Sequence, residues 1–409
     1  MWSSLEPRNN CLLGVNNHPE KEIAFLFPIM SFQVIQEFSG ASLRQVFEST
    51  ASPELQPYWS QIDVIVLIDA VFFDRDQRLH WRESPIMDAP VCYLHFLKRI
   101  QQTVKAELEI CVEIKESDLQ YPYINWREAF NEMHRFIHDN QLQGLKFVFK
   151  SEINFNLITN SFVGSRLISR AYIFIVELAS ENFVGSKDLL SVLYYADCVL
   201  FPLQGWFKLL PIFPSIYNKD VNCVQAVSDR QFETCRMNYV NWVLNGVSRG
   251  KMAIDIATSC VQTMFSKIDE TTEIVMDIKE NTRKSVYDAL IYAGTNVEEE
   301  LASGEILTFV DSSADLAYVY FESQTTLKKK VDYFLKEEGL KFVYLHDCKY
   351  DFDLIDNKSL FNFVVQQYRR HLNSGAPLLL QELPSINGIL QARRIGQELP
   401  GTPSTEEQK

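Results

Sequence analysis

Acidic residues at the ends of apolar segments are the first feature of this sequence that could carry chemistry. Five of them, each near the C-terminal end of a predicted strand, are Glu113, Glu152, Glu177, Asp197 and Asp347. Two carboxyl groups that meet at one site and titrate differently can act as general acid and general base. These five residues are therefore candidate acids of an enzyme, provided that the fold brings two of them together.

Two lysines and one tryptophan are candidate ligand-binding residues. Lys146 and Lys150 lie in the apolar segment LKFVFK, where they could form a cationic pocket for an anionic ligand; alternatively, this strand has a different register. Trp206 follows another predicted strand and could stack on a sugar ring. The more ordinary interpretation of Trp206 is a loop aromatic that covers the rim of the fold.

The segment around His346 contains residue types that can bind a metal ion. Asp347 and Asp351 lie close to it in the sequence, but only His346 is a typical nitrogen donor and the spacing matches no metal motif. We interpret the two aspartates as solvated loop charges and expect no metal ion. The sequence contains no G-x-S-x-G, P-loop or dinucleotide fingerprint, so we expect no cofactor.

The charge balance limits the classes of partner. A formal net charge of −14, from 53 acidic and 39 basic residues, argues against binding to nucleic acid or to an anionic membrane. The apolar stretch from Ile23 to Phe32 is too short to span a bilayer. No signal peptide is visible in the sequence, and the compartment stays open.

Short segments rich in Val, Ile and Phe alternate with helical patterns, which predicts an α/β fold with a parallel sheet. Amphipathic helices are predicted at residues 91–108, 126–141 and 236–250. Eight β-α units predict a closed (β/α)8 TIM barrel. The predicted strands are Ile23–Ile29, Val64–Ile68, Leu108–Ile114, Leu145–Phe149, Tyr172–Leu178, Cys198–Leu203, Met252–Ala257 and Lys341–Leu345.

The interval between the seventh and eighth predicted strands is longer than a simple crossover requires, so we predict a small insertion with strands of its own, at about residues 262–325. One barrel domain is expected at residues 20–385, preceded by an N-terminal extension at residues 1–19. Residues 393–409 are polar and rich in Pro, Gly and Glu, which is typical of a disordered tail.

Three stretches, in chain order, resemble the chitinases of glycoside hydrolase family 18. FIHDNQLQGLKFVFKSE is similar to the segment that carries the family motif Asp-Gly-x-Asp-x-Asp-x-Glu, with Gly144 at the motif glycine. NYVNWVLNGVSRGKMAIDIATSC resembles the turn and seventh strand, and YVYFESQTTLKKKVDYFLKEEGLKFVYLHDCKYDF resembles the last helix and eighth strand. A weaker match places Asp197 at an aspartate of the sixth strand. The resemblance covers most of the chain and implies the barrel predicted above.

The resemblance also implies a substrate-assisted mechanism, in which a carboxylic acid protonates the leaving oxygen and a second carboxylate orients the acetamido group of the sugar. The four acidic motif positions fall here on Gln143, Lys146, Val148 and Lys150. None of them carries a carboxylate, and Lys150 would stand where the proton donor is needed. Glu152 could rescue one acid only if the register slipped by two residues.

Other family positions differ as well. The residues that hold the acetamido group would fall on the run from Pro202 to Gly205, and the tryptophan floor of the sugar site would fall on Leu345. The small-residue turn after the third strand would fall on the run from Glu113 to Glu116. The resemblance therefore implies a degenerate member of the family, without catalytic residues.

We thus expect a non-catalytic chitinase-like protein that binds chitin-type oligosaccharides or protein partners. Such uses, and an extracellular location, are implied by the family resemblance alone. The alternative is an enzyme of a different class, which uses other acids at the barrel mouth. Two of those acids would then have to meet across the mouth and show perturbed titration.

Overall fold

The protein is described here by a computed structural model. It describes residues 33–49, 56–83, 89–119, 125–149, 172–178, 187–200, 235–267, 273–292, 305–310, 315–322, 324–351 and 359–373, together with a few isolated positions between 158 and 232. These residues belong to one compact unit.

Eight strands form a single parallel sheet. They are β1 (Gln33–Phe38), β2 (Val64–Leu67), β5 (Glu109–Lys115), β6 (Gly144–Phe149), β7 (Ile173–Leu178), β8 (Cys198–Leu200), β9 (Ala253–Ile256) and β14 (Phe342–Leu345); the hairpin strands β3 (Val71–Phe73) and β4 (Leu79–Trp81) stand apart from it. Hydrogen bonds join the eight in the order β8, β7, β6, β5, β2, β1, β14, β9. One parallel bridge, between Val199 and Met252, links the two outer strands. The predicted α/β barrel is therefore confirmed.

Seven of the eight predicted strands correspond to β2, β5, β6, β7, β8, β9 and β14, with ends within a few residues. The prediction for the first strand was wrong. Ile23–Ile29 lies outside the described residues, and the first barrel strand is β1, with the sequence QVIQEF. This strand was missed because the prediction looked for apolar runs, and Gln36 and Glu37 are polar. Both residues are nevertheless buried in the structure.

Helices pack around the barrel and bury its outer surface, and one further helix, Arg283–Tyr292, belongs to the insertion. The described helices are Gly40–Ser49, Gln56–Trp59, Leu94–Thr103, Trp126–Asp139, Lys187–Tyr195, residues 235–244, Arg283–Tyr292, Gln324–Val331 and Leu360–Asn373. The three helices predicted from amphipathic patterns are among them. In Trp126–Asp139, for example, Ala129, Phe130, Met133 and Ile137 follow helical spacing and are all buried. None of the described helices has the length and apolar character needed to cross a membrane.

The predicted insertion is present between the seventh and eighth barrel strands. It contains the antiparallel strands β10 (Cys260–Lys267), β11 (Glu273–Asn281), β12 (Glu305–Val310) and β13 (Asp315–Tyr320), hydrogen-bonded in the order β11, β10, β13, β12. The helix Arg283–Tyr292 lies between β11 and β12 along the chain. The predicted N-terminal extension and C-terminal tail lie outside the described residues.

Strand alternation divides the core into two parts. Side chains such as Val34, Phe38 and Leu345 pack in the large cluster that includes the surrounding helices. The opposite faces of the strands fill the barrel interior, which contains Ile35, Val64, Val66, Cys111, Ile175, Cys198, Leu200, Ala253, Phe342 and Tyr344. Because successive side chains alternate, the next inward positions along each strand reach the C-terminal mouth of the barrel.

Gly144 allows β6 and β7 to approach closely. A Cβ atom built at this position would lie 2.2 Å from the carbonyl oxygen of Ile173. Any side chain here would therefore push the two strands apart. The close approach of β6 and β7 thus explains why a glycine occupies position 144.

Candidate functional site

The inward positions at the barrel mouth are polar on five strands. Glu37 follows the interior residue Ile35 by two positions on β1, Glu113 follows Cys111 on β5, and Glu177 follows Ile175 on β7. Lys146 on β6 is buried, and so is Asp255 on β9, two positions beyond Ala253. The apolar interior therefore gives way to a layer of charged groups at the C-terminal ends of the strands.

Lys146 lies at the centre of this layer. Its Nζ is 2.5 Å from Glu37 Oε1, 2.9 Å from Glu113 Oε2 and 2.5 Å from Glu177 Oε2, and the Lys146 side chain is 1% exposed. The same Nζ lies 4.9 Å from the ring centroid of Tyr344. One ammonium group thus joins carboxylates from three strands, in an environment where an unpaired charge would be costly.

Glu37 connects Lys146 to the eighth barrel strand. The Tyr344 hydroxyl donates to Glu37 Oε1, and His346 Nδ1 lies 3.1 Å from Glu37 Oε2. His346 Nε2 lies 2.5 Å from Asp255 Oδ1. The imidazole therefore bridges two buried carboxylates and extends the network across six strands.

The charges of this network determine the pKa values of its members. Burial opposes protonation of Lys146, but Glu113, Glu177 and Glu37 outweigh it and raise the pKa of Lys146 well above its usual value. Burial likewise opposes the charged form of His346, yet Asp255 and Glu37 raise its pKa well above 6.5. Both groups are cations at neutral pH.

The glutamates respond in opposite directions. Burial alone would raise the pKa of Glu37, but Lys146 and then His346 lower it well below the usual range. Burial raises the pKa of Glu113 more than Lys146 lowers it. Glu37 therefore favours its ionised form, whereas Glu113 is the easier of the two to protonate.

Three of these carboxylates resemble a cation site. Glu37, Glu113 and Glu177 offer oxygen atoms that lie within 4.8 Å of one another. Lys146 Nζ contacts all three, so its ammonium group supplies the positive charge that a divalent ion would bring. A metal ion could bind here only by displacing Lys146, and we assign none.

Lys146 faces inward, where it contacts Glu37, Glu113 and Glu177, and Val148 is buried two positions further along the same strand. Because three glutamates neutralise Lys146, the prediction of a cationic pocket is wrong for this residue. Lys150, Glu152 and Trp206 lie outside the described residues, as does the run from Pro202 to Gly205. The prediction that Trp206 contacts a ligand stays a prediction.

Of the five candidate acids, Glu113 and Glu177 lie on the two strands that flank β6, and both contact Lys146 Nζ. Asp197 does not belong there, because it directly precedes β8 and its Oδ2 accepts a hydrogen bond from the backbone N–H of Phe174. It therefore lies at the N-terminal end of the sheet, opposite the mouth.

The interpretation of Asp347 and Asp351 as solvated loop charges was wrong. Both are buried. Asp347 Oδ1 accepts from the backbone N–H of Ser39, and Asp351 Oδ2 accepts from the backbone N–H of Leu360 at the start of the last helix. Asp351 therefore caps that helix and is not available to a ligand.

Two motif placements also change. Leu345 packs in the cluster that contains the outer helices, so it does not line the interior; Tyr344 and His346 face inward instead. Glu113, Ile114 and Lys115 belong to β5 itself rather than to a turn after it. The observed strand positions support neither placement.

Sequence reasoning missed Glu37, Asp255 and Tyr344. Asp255 could have been noticed as the single acid in the otherwise apolar strand AIDI of β9. Because acids are rarely buried without a partner, an acid in such a strand indicates a buried polar network. Glu37 had no such signal, since β1 itself was not predicted.

Comparisons with known proteins show which proteins share this fold. No protein-family model matches the chain, and no curated protein matches it in sequence. Among solved structures, the C-terminal domain of a putative chitinase from Desulfitobacterium hafniense DCB-2 is similar at 11% identity with a TM-score of 0.53, over 82% of this chain and 99% of that chain.

Two further structures are similar over nearly their whole length. A glycoside hydrolase family 18 N-acetylglucosaminidase from Paenibacillus barengoltzii has 11% identity and a TM-score of 0.51, over 82% of this chain and 99% of that chain. YKL-39, solved in the presence of chitooligosaccharides (GlcNAc4), has 11% identity and a TM-score of 0.54, over 83% and 99%. These similarities show that the chain has the barrel fold of chitinases and chitinase-like proteins.

Proposed function

We propose that this chain is a chitinase-like barrel that does not hydrolyse glycosidic bonds. The observation that carries the proposal is the position of Lys146, which is buried at the mouth and paired with Glu37, Glu113 and Glu177. In the resemblance to family 18, this position belongs to the row of acids on which catalysis depends. In this chain, two positions of that row are occupied by the cation Lys146 and by the apolar Val148.

The chemistry of glycoside hydrolysis supports this proposal. A general acid must carry a proton at the operating pH and transfer it to the leaving oxygen. Lys146 has a raised pKa, and its ammonium group is a much weaker acid than a carboxylic acid. The acids around it are ion-pair partners of Lys146, so protonation of any one of them weakens its pairing with that ammonium group.

Restoring one acid tests how much of the site is lost. We expect Lys150→Glu to give no measurable release from a fluorogenic chitobioside, because Lys146 and Val148 leave the new acid without partners. General acid catalysis contributes only about 10²–10⁴-fold. Turnover by this variant alone would show that the remaining site is better preserved than we propose.

The proposed role is binding, either of chitin-type oligosaccharides at the mouth or of a protein partner. Support for the glycan comes from the fold and from the presence of chitooligosaccharides in the YKL-39 structure. Glu177 and His346, whose side chains are 24% and 20% exposed, would be the polar floor that a sugar meets. Retention on chitin beads and calorimetry with chito-oligosaccharides test this role, and the absence of both signals would leave the protein-partner role.

One observation favours a second candidate, an enzyme of a different class. Glu113 and Glu177 approach each other through Lys146, and burial raises the pKa of Glu113, which is a pattern found at functional sites. A hydrolase or lyase activity that is abolished by both Glu113→Gln and Glu177→Gln would favour this candidate. An activity that survives both changes would not arise from the mouth.

A further inference from the structure

A second group of buried charges joins the insertion to the barrel. Arg283 is the first residue of the insertion helix, and Asp351 follows the barrel strand β14. Arg283 Nε lies 3.6 Å from Asp351 Oδ1, and the two side chains are 3% and 1% exposed. Opposite charges from the insertion and the barrel therefore meet inside the protein, where an unpaired charge is costly.

The second carboxylate oxygen of Asp351 holds the start of the last helix, Leu360–Asn373. Asp351 Oδ2 accepts from the backbone N–H of Leu360 at 2.8 Å and from the Ser359 hydroxyl at 2.9 Å. These bonds satisfy donors at the N-terminus of that helix. One carboxylate thus caps the last helix with one oxygen and faces the insertion with the other.

Arg283 also holds the segment by which the chain leaves the insertion. Its Nη1 donates to the carbonyl oxygen of Glu322 at 2.6 Å, and its guanidinium carbon lies 5.4 Å from the ring centroid of Phe321. The buried Glu322 carboxylate in turn accepts from Lys330, on the helix Gln324–Val331. The planar guanidinium can face Asp351 and Glu322 at once because its donors point in different directions.

We propose that Arg283 and Asp351 form a latch that couples the insertion to the last helix, so that neither opens to solvent without weakening the other. Opening of the insertion withdraws Arg283 and leaves the anion of Asp351 without this partner. Unwinding of the first turn of the last helix releases Asp351 and leaves Arg283 without its counter-ion. Either event breaks the same buried pair, and such a coupling must act equally in both directions.

Hydrogen exchange of backbone amides in the native protein tests the latch, because it reports the opening of each element separately. We expect Arg283→Met, a change in the insertion, to raise the opening equilibrium constant of the last helix by at least about tenfold. The matched control is Lys284→Met, which removes an exposed cation from the next position of the same helix and should leave the last helix unchanged.

The reverse change tests reciprocity. Asp351→Asn removes the charge but keeps a side chain that can cap a helix, and it should speed exchange in the insertion helix. In the double variant, the combined effect should be clearly smaller than the product of the two single effects, since both changes break the same pair.

Arg283→Lys covers the case in which Arg283→Met does not fold. It keeps the charge but cannot contact Asp351 and Glu322 with one planar group, so exchange in the last helix should rise by a smaller factor. Exchange in the last helix that matches the Lys284→Met control in either Arg283 variant would overturn the proposal. Independent, multiplicative effects of Arg283→Met and Asp351→Asn would overturn it as well.

Discussion

At the scale of residues, Lys146 determines the character of the barrel mouth. A lysine in this position is tolerated because Glu37, Glu113 and Glu177 surround its ammonium group at 2.5–2.9 Å. Removing one partner from a buried ion pair costs far more than the pair contributes, since the other charges stay buried. The stability of this network therefore depends on Lys146.

Replacement of Lys146 should reveal this dependence. We expect Lys146→Met to lower the free energy of unfolding by about 3–5 kcal/mol, because the buried Glu37 and Glu113 and the partly exposed Glu177 lose their common cation. The control is Lys341→Met, at an exposed lysine just before β14, which should change it by less than about 1 kcal/mol. Urea denaturation measures both values, and equal small losses would contradict the role assigned to Lys146.

His346 should make the stability depend on pH in a defined direction. Its pKa in the folded protein is raised above 6.5 by Asp255 and Glu37, so its contribution is complete below about pH 6.5, the unfolded value. The contribution is then lost as the pH rises through the folded pKa. The difference in unfolding free energy between the wild type and His346→Gln should thus be constant at low pH and decrease above about pH 6.5. A difference that grows with pH would rule out the assigned ion pairs.

Residue types in the sequence predicted only part of this network. Glu113 and Glu177 were candidates as acids near the ends of predicted strands, and Lys146 was a candidate as a charge in an apolar segment. His346 was weighed only as a metal ligand. Their pairing could not be predicted, because Glu37, Lys146 and His346 are separated by 109 to 309 positions along the chain. Only the closure of the barrel brings them together.

At the scale of elements, the contact between β6 and β7 depends on the absence of a side chain at Gly144. We expect Gly144→Ala to cost about 2 kcal/mol or more, since its Cβ would collide with backbone that cannot rotate away. Gly250→Ala is the matched control, because its nearest neighbour, Ser248 Oγ, is 3.9 Å from the new Cβ. Thermal and urea unfolding compare the two variants. Similar midpoints would mean that the strands separate more easily than this packing implies.

Seven of the barrel strands could be predicted because their outward and inward faces are both apolar over most of their length. The first strand could not be predicted in this way, because its sequence QVIQEF mixes polar and apolar residues. Gln36 and Glu37 interrupt the apolar run that marks the other strands. Both are buried, and each is paired in the structure: the Gln36 amide donates to the carbonyl of His346, and Glu37 accepts from Tyr344. Tertiary partners thus override the local pattern.

At the scale of the whole molecule, the alternation of strands and helices was sufficient to predict the barrel and its insertion. The chemistry of the mouth was not predictable to the same extent, because six strands contribute to it and Leu345, which was expected in the interior, packs against the outer helices. Tyr344 and His346, and not Leu345, face the barrel interior. The absence of acids from β6 was nevertheless visible in the sequence, because its residues GLKFVF include neither Asp nor Glu.

The most direct test is the rate at which the wild-type protein releases fluorophore from a chitobioside, measured beside an active family 18 chitinase under identical conditions. We predict release indistinguishable from the rate without protein, because the mouth offers an ion-paired Lys146 where a carboxylate is required. Clear turnover that co-elutes with the folded protein and is lost in Glu113→Gln or Glu177→Gln would contradict the account and assign catalysis to the acids of the network.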